Sequence, residues 1–402
     1  MVQLLLSAFG GDARIAGTPE PASTGKGDIQ CYHIDCRFSD SLEDIGRIRV
    51  GKLFRLVKYC LETIACRWRF GVTTMLYIPA PPMRAAIYRD WMVMLLCRPF
   101  FRRRVFYWQA AGLGEWLNSA APWERWLTLR LLGRPDLSIV LGEFCRGDAL
   151  AFRSHRTEVI PNCVPDPCPD FEREILPFRR MQAAARLERL RAAESLAGPI
   201  HPPLLFHRFR VLFLSLCTRE KGLFDVVEAV ASLNQRLTRQ GSPVRVRLDV
   251  AGKFWRESEK REFERRIGQT DLNGDPLAAE EPVVRYHGFV AGTDKGRLLR
   301  ASDCFCFPTY YRAESFGIVL VEAMAYGLPI ITTRWRTIPE LLSPGYRGLV
   351  EPRSPEQIVA GLEYLLTQDY DETARARFLE SYTDRKYATA MSSALHTLTT
   401  NH

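Results

Sequence analysis

PTYYRAESFGIVLVEAMAYGLPIITTRWRTIPE, residues Pro308 to Glu340, decides how the rest of the chain is read. The apolar run Cys304 to Phe307 before it is short and ends at Pro308, as a buried parallel strand does. Glu314 then stands in a turn. Ser315, Phe316 and Gly317 open a helix with its body at Ile318 to Tyr326, which Gly327 and Pro329 end. Pro329 to Thr332 starts the next strand. Such a strand-turn-helix leaves backbone N–H groups free at the carboxyl edge of a sheet, where anions and polar ligands bind. Glu322 follows Glu314 by eight positions, so the two carboxylates can face one ligand at different depths.

Glu314-SFGIVLV-Glu322, with the trailing AMAYGLPIITT and a downstream Pro339-Glu340, resembles the E-x7-E signature of family-four glycosyltransferases. The resemblance implies an α/β chain of GT-B fold: two doubly wound, Rossmann-like parallel-sheet domains facing across a cleft. It further implies a retaining hexosyltransferase that takes its sugar from a nucleoside diphosphate. The expected divisions are 1–170 (acceptor-side domain), 171–207 (linker with a surface helix), 208–375 (nucleotide-sugar domain) and 376–402 (terminal helix). In GT-B relatives such a helix crosses back to the first domain.

At 402 residues, two domains are the natural expectation, and 47% hydrophobic with 25% charged residues describes a folded, soluble chain. The 11 cysteines are scattered and form no C-x-x-C, which favours buried thiols in the cytoplasm over a disulfide framework. The N-terminus, MVQLLLSAFGG, reads as a strand and glycine turn rather than a signal peptide, and no apolar run is long enough to span a membrane. The formal charge of +9 asks for a partner or an explanation. Its densest run, Arg98 to Arg104 (RPFFRRR), has two readings. One is a patch for anionic lipid head groups, placing the protein at the inner membrane face. The other, which fits the surrounding alternation better, is a basic turn between helix and strand. No nucleic-acid-reading motif accompanies the charge.

Strand and helix alternate through both halves. Strands are expected at Val2 to Leu6, Val72 to Ile78, Val105 to Trp108, Leu137 to Leu141 and Val159 to Asn162. The second half adds Val211 to Leu216, Val246 to Val250 and Val283 to Tyr286. Prolines 165, 167, 202 and 203 bracket a charged helix, Met181 to Ala193. Thr337 to Glu340 and Ser354 to Gln357 fit the capping box. A single helix is expected at Ala376 to Leu398, and a loop at Asp271 to Asp275.

Releasing a nucleoside diphosphate requires its charge to be met by a metal or by cations and N–H groups already in place. No Asp-x-Asp stands in a suitable turn, so no metal or cofactor is expected. FLSLCTREKGLFDVVEA places Lys221 and Gly222 in a strand-turn-helix resembling the family's phosphate-binding turn. Leu216 stands where many members carry an arginine, and Arg219 is the substitute at hand. By the resemblance, Glu322 holds ribose hydroxyls. Glu314 and the N–H groups of Phe316, Gly317 and Ile318 hold the donor sugar. Phe289 and Val290 line the base, and Gly10 and Gly11 form the acceptor-side glycine turn. Gln109 takes the place of a histidine that touches the donor sugar. Retention is expected, either with the diphosphate oxygen assisting deprotonation of a hydroxyl acceptor or by a double displacement through a carboxylate nucleophile. The alternative, prompted by Leu216 and Gln109, is a sugar-nucleotide-binding or scaffold protein without turnover.

Overall fold

The computed structural model describes residues 29–34, 50–195, 207–272 and 282–400. Gly10, Gly11 and the strand expected at Val2 to Leu6 lie outside these, as do Asn273 to Asp275. The chain divides into two compact units. The first is Met1–Cys163 with Arg312–Phe316 and Tyr382–His402; the second is Val164–Tyr311 with Gly317–Ser381.

In the first unit α1 (Val50–Phe70) leads into β1 (Thr74–Tyr77), α2 (Arg84–Cys97) and β2 (Arg103–Tyr107). Then come α3 (Leu113–Ser119), α4 (Pro122–Leu132), β3 (Leu137–Val140), α5 (Arg146–Ala151) and β4 (Thr157–Val159). The strands are parallel in the order β1-β2-β3-β4, with Thr74 beside Arg103, Val105 beside Leu137 and Ser138 beside Thr157. Right-handed crossovers between successive neighbours put α2, α4 and α5 on one face of this sheet. There Phe106, Trp108, Val140 and Phe152 bury themselves with Ile87 and Met94 of α2. β4 ends at Val159, three residues short of the expected Asn162. The last ladder bond runs from Ile160 N–H to Val140 at 2.8 Å, and Pro161 has no N–H with which to continue.

The second unit opens with α6 (Phe171–Glu174) and α7 (Leu176–Ser195), followed by β5 (His207–Leu214), α8 (Leu223–Arg239), β6 (Val244–Ala251) and α9 (Glu257–Leu272). Next are β7 (Val284–Tyr286), α10 (Gly292–Ala301), β8 (Cys304–Phe307), α11 (Ile318–Ala325) and β9 (Ile330–Thr333). It closes with α12 (Ile338–Leu341), β10 (Leu349–Val350), α13 (Pro355–Leu366) and α14 (Thr373–Ser381). Its six parallel strands run β10-β9-β8-β5-β6-β7. Phe213, Cys304 to Phe307 and Ile330 to Thr333 are buried in the middle, as their uninterrupted apolar or β-branched runs require. α8 turns Phe224, Val227, Val230, Leu233 and Leu237 inward at helical spacing. α9 continues to Leu272, through the start of the expected loop.

Two local expectations fail. Neither Thr337 nor Ser354 caps its helix through the side chain. Instead Gln357 Oε1 accepts from the Glu351 N–H at 2.8 Å, so its carboxamide serves the incoming strand end. The single helix expected at Ala376 to Leu398 is two, because Thr383 Oγ1 accepts from the Lys386 N–H (3.4 Å) and opens a new helix, α15 (Asp384–Thr400). α14 belongs to the second unit and α15 to the first.

Much of the basic charge is structural. A helix leaves its last carbonyls without partners, and an arginine fork can satisfy several at once. At the end of α4, Arg98 donates to the carbonyls of Arg130 and Leu131, and buried Arg104 to those of Gly133 and Arg134 (3.2 and 2.6 Å). Both ends of the RPFFRRR run thus donate to carbonyls of the fold. α7 begins before the expected Met181 and is not a mere surface helix. Its buried Arg179 reaches the carbonyls of Tyr326, Ser302 and Leu299 (3.0, 2.8 and 3.2 Å), and Arg186 those of Leu366 and Gln368 (2.9 and 2.7 Å).

Candidate active site

The strand order of the second unit reverses between β5 and β8, and ligands of such sheets bind beyond the carboxyl ends of the strands at that point. Two helices start there, α8 after β5 and α11 after β8, each from a glycine in the left-handed region: Gly222 (φ 82°) and Gly317 (φ 71°). A Cβ on Gly222 would lie 2.3 Å from the Pro308 carbonyl oxygen, so only glycine lets the first turn pack on the chain leaving β8. Tyr310 N–H fastens the two by donating to the Glu220 carbonyl at 2.8 Å. In consequence Lys221 Nζ sits 5.5 Å from the ring centre of Phe307 and 4.7 Å from that of Tyr311, both on the β8 side.

Arg219 does not join it. Its guanidinium donates to Glu262 at 2.6 Å and lies over the Phe224 ring at 4.5 Å, while its N–H donates to Glu259 at 2.9 Å. The substitute for the arginine missing at Leu216 is therefore committed to α9. In the first turn of α8, burial pushes the Asp225 carboxyl up to about 6, and Glu228 adds to this. A raised carboxyl binds protons that the unfolded chain has released, so this group lowers stability as pH climbs from about 4 to 6.

Farther along α11, Glu322 is half-buried, and its Oε1 accepts from Lys295 Nζ of α10 at 2.6 Å. Ile318, one residue past the Gly317 cap, keeps its side chain partly in water. At the ends of β6 and β7, Gly252 N–H donates to the Gly288 carbonyl at 2.7 Å. The next residues form a pair, with Lys253 Nζ 5.2 Å above the ring of Phe289, which is 67% exposed. Val290 is half-buried beside it. Lys221, Gly222, Gly317, Ile318, Glu322, Phe289 and Val290 all belong to the second unit.

Glu314 and Phe316 fall in the segment that clusters with the first unit. Phe316 is buried, with its ring 6.0 Å from Tyr382 in an edge contact, so it has only backbone to offer a ligand. Ser315 Oγ donates to the Gln109 carbonyl at 2.6 Å. The Gln109 carboxamide is paired head to tail with Asn162 (3.3 and 3.0 Å), and Tyr107 Oη donates to Asn162 Oδ1 at 2.7 Å. Both ends of Gln109 are thus occupied within the fold. Among the described residues no cluster of three His, Cys, Asp or Glu side chains is placed to hold a metal ion.

Lys295 and Lys253 escaped the reading of the sequence. Lys253 had a signal, a cation directly after the glycine that ends a strand. Lys295 had none, since its partner is 27 residues away.

A doubly wound sheet with two glycine-opened helices meeting at its switch point, preceded by a second parallel-sheet unit, is the arrangement of the GT-B fold. Residues 206–382 match the family model of the glycosyl transferases group 1. Over 177 residues it is 28% identical to the amylovoran biosynthesis glycosyltransferase AmsK of Erwinia amylovora, covering 43% of this chain and 38% of that one. It is 35% identical over 101 residues to the O-antigen chain mannosyltransferase B of Escherichia coli, 25% of this chain and 26% of that one. The chain thus spans well under half the length of these relatives. Among solved structures, Anabaena Alr3699/HepE in complex with UDP and glucose superimposes with a TM-score of 0.55 at 16% identity, over 87% of this chain and 84% of that one. A trehalose-6-phosphate synthase does so with a TM-score of 0.62 at 14% identity, over 98% and 95%. Among the described residues no helix is long and apolar enough to cross a membrane.

Proposed function

We propose that the chain is a retaining hexosyltransferase that moves a sugar from a nucleoside diphosphate to a hydroxyl acceptor without a metal. The position of Lys221 carries this reading: an ammonium held over Phe307 and Tyr311 at the switch point, beyond the carboxyl ends of the strands, where such sheets bind their ligands. The diphosphate meets Lys221, and the N–H groups of Phe316, Gly317 and Ile318 are assigned to the donor sugar. Glu322 accepts from the ribose hydroxyls, and the base lies along Phe289 and Val290. Glu314 is assigned to the donor-sugar hydroxyls. As the bond from the anomeric carbon to the diphosphate breaks, the acceptor oxygen bonds that carbon from the same face, and its proton passes to the departing diphosphate. The names of the relatives support a growing glycan as acceptor. The ten described cysteines are all free thiols, which supports a cytoplasmic station.

A second reading, a sugar-nucleotide-binding protein without turnover, draws on Arg219 being spent on Glu262 and Gln109 on Asn162. UDP or GDP at about 100 times its Kd should stabilise either protein by about 2.7 kcal/mol, read as a raised melting temperature. Slow donor hydrolysis that persists in EDTA and vanishes in Glu314→Ala is expected for the transferase. Binding without hydrolysis across a panel of UDP- and GDP-sugars would leave the second reading.

Lys295 sharpens the ribose assignment. It holds one oxygen of Glu322 and so orients the carboxylate for a diol. Lys295→Met should raise the donor KM about fivefold with kcat little changed, the scale of a partly exposed ion pair, and Lys295→Arg should recover most of it. A KM that falls instead would mean that the pair competes with the ligand.

A further inference from the structure

The first unit carries an exposed face that the transfer reaction does not use. On α1, Phe54, Leu61 and Trp68 are 73%, 62% and 71% exposed and stand seven residues apart, so they line one side of the helix. Leu56 and Cys60, on its other side, are buried in the core. α2 packs against both α1 and α4, and α4 presents Trp123 and Trp126, 58% and 66% exposed. A folded domain rarely leaves so many large side chains in water unless something covers them.

The charges around them say what. Within Val50–Phe70 there are five basic residues (Lys52, Arg55, Lys58, Arg67, Arg69) against one acid, Glu62, which lies 3.8 Å from Lys58. At the C-terminal end of α1, Arg67 Nε donates to the Phe100 carbonyl at 3.1 Å, which brings the turn carrying exposed Arg102 alongside. An apolar stripe of Phe, Leu and Trp with basic flanks matches an anionic bilayer: rings at head-group depth, arginine and lysine against the phosphates. A second copy would bring two basic borders together, which like charge opposes. Nucleic acid would meet the charge and leave the stripe in water.

We propose that α1, with α4 beside α2, is the face by which this chain lies on an anionic lipid surface. The contact is made by the outward side of α1 and not by the RPFFRRR run as a whole, since Arg98 and Arg104 serve the end of α4. It goes beyond the transferase reading and does not depend on it.

Sedimentation of the full chain with lipid vesicles tests this. Vesicles of phosphatidylcholine with about a third phosphatidylglycerol should carry the protein down, with a blue shift of tryptophan emission, and pure phosphatidylcholine should not. The triple variant Phe54→Ser/Leu61→Ser/Trp68→Ser should lose at least about tenfold in partitioning. The double variant Arg55→Glu/Lys58→Glu, in which every apolar residue remains, should lose about fivefold or more per site and shed most of its salt dependence. Far-ultraviolet circular dichroism checks that both fold. Equal binding to neutral vesicles, or unchanged partitioning in both variants, would overturn the proposal. So would a dimer in light scattering that the triple variant dissolves, or retention on nucleic acid that outcompetes vesicles.

Discussion

Lys221→Ala is expected to cut kcat for sugar transfer by about 100- to 1000-fold, the loss seen when one preorganised charge-stabilising donor is removed from an active site. The reason lies in when the charge appears. In the bound donor the diphosphate is one ester of the sugar, and in the transition state it takes up the bonding pair and becomes more negative. A fixed ammonium therefore interacts more strongly with the transition state than with the ground state, and its loss falls on kcat more than on KM. The backbone has already met the cost of holding it: Gly222 takes φ 82°, its turn lies against Pro308, and the chain beyond supplies the Tyr311 ring 4.7 Å from Nζ. Arg219 cannot compensate, being hydrogen-bonded to Glu262 at 2.6 Å. Lys221→Arg retains the charge and should recover part of the rate. The stabilisation by free UDP or GDP should fall in Lys221→Ala as well. If kcat and that shift both match the unsubstituted protein, Lys221 does not meet the diphosphate.

The part of the molecule legible in its sequence is the part built from neighbours in the chain. β8, the Gly317 turn, α11 and β9 lie within about a residue of where Pro308, Gly317, Gly327 and Pro329 place them, because a strand stop and a left-handed cap are local matters. The turn at Lys221 and Gly222 was readable for the same cause. What stayed hidden is long-range. The positive charge looked like a search for an outside partner, yet Arg179 meets a carbonyl 147 residues away and Arg186 one 180 residues away. No spacing along the chain announces such a bond. Arg219 finds Glu262 over 43 residues, and Gln109 finds Asn162 over 53. Residue type showed that these side chains could bind a ligand, and the fold decided which were already occupied. The capping boxes failed in the opposite sense: the local pattern was present, but a nearby strand end claimed Gln357.

Arg375→Met should be the most destabilising single change among these arginines, lowering stability by about 3 kcal/mol and the melting midpoint by roughly 6–12 °C. Arg375 is buried. Nη1 donates to Asp166 Oδ1 and the Ala325 carbonyl, both at 2.8 Å, and Nη2 to Asp166 Oδ2 at 2.7 Å and the Cys168 carbonyl at 2.9 Å. Its plane lies 4.9 Å from the Phe171 ring centre and 5.3 Å from that of Phe378. Met fills the space between those rings but takes the Arg375 donor from the Ala325 carbonyl, and leaves the Asp166 carboxylate with the Cys168 N–H (3.0 Å) and the Cys168 carbonyl with the Phe171 N–H (3.1 Å). Three kcal/mol is the lower end of what a broken buried pair costs, chosen because the Asp166 side chain is still 26% exposed and water can partly replace the fork. Burial pushes the Asp166 carboxyl up, but the hydrogen bonds from Arg375 and Cys168 outweigh it and hold the group below its ordinary value. A lowered carboxyl stabilises the fold above its unfolded pKa, near 4, and that contribution disappears as pH falls through the folded value. The gap between the parent and Arg375→Met should therefore be widest at neutral pH and narrow in acid. Asp166→Asn/Arg375→Met should cost less than the two single changes added together, since each already removes the shared pair. Strict additivity, or a gap that ignores pH, would show that Arg375 acts only through its stacking on Phe171 and Phe378.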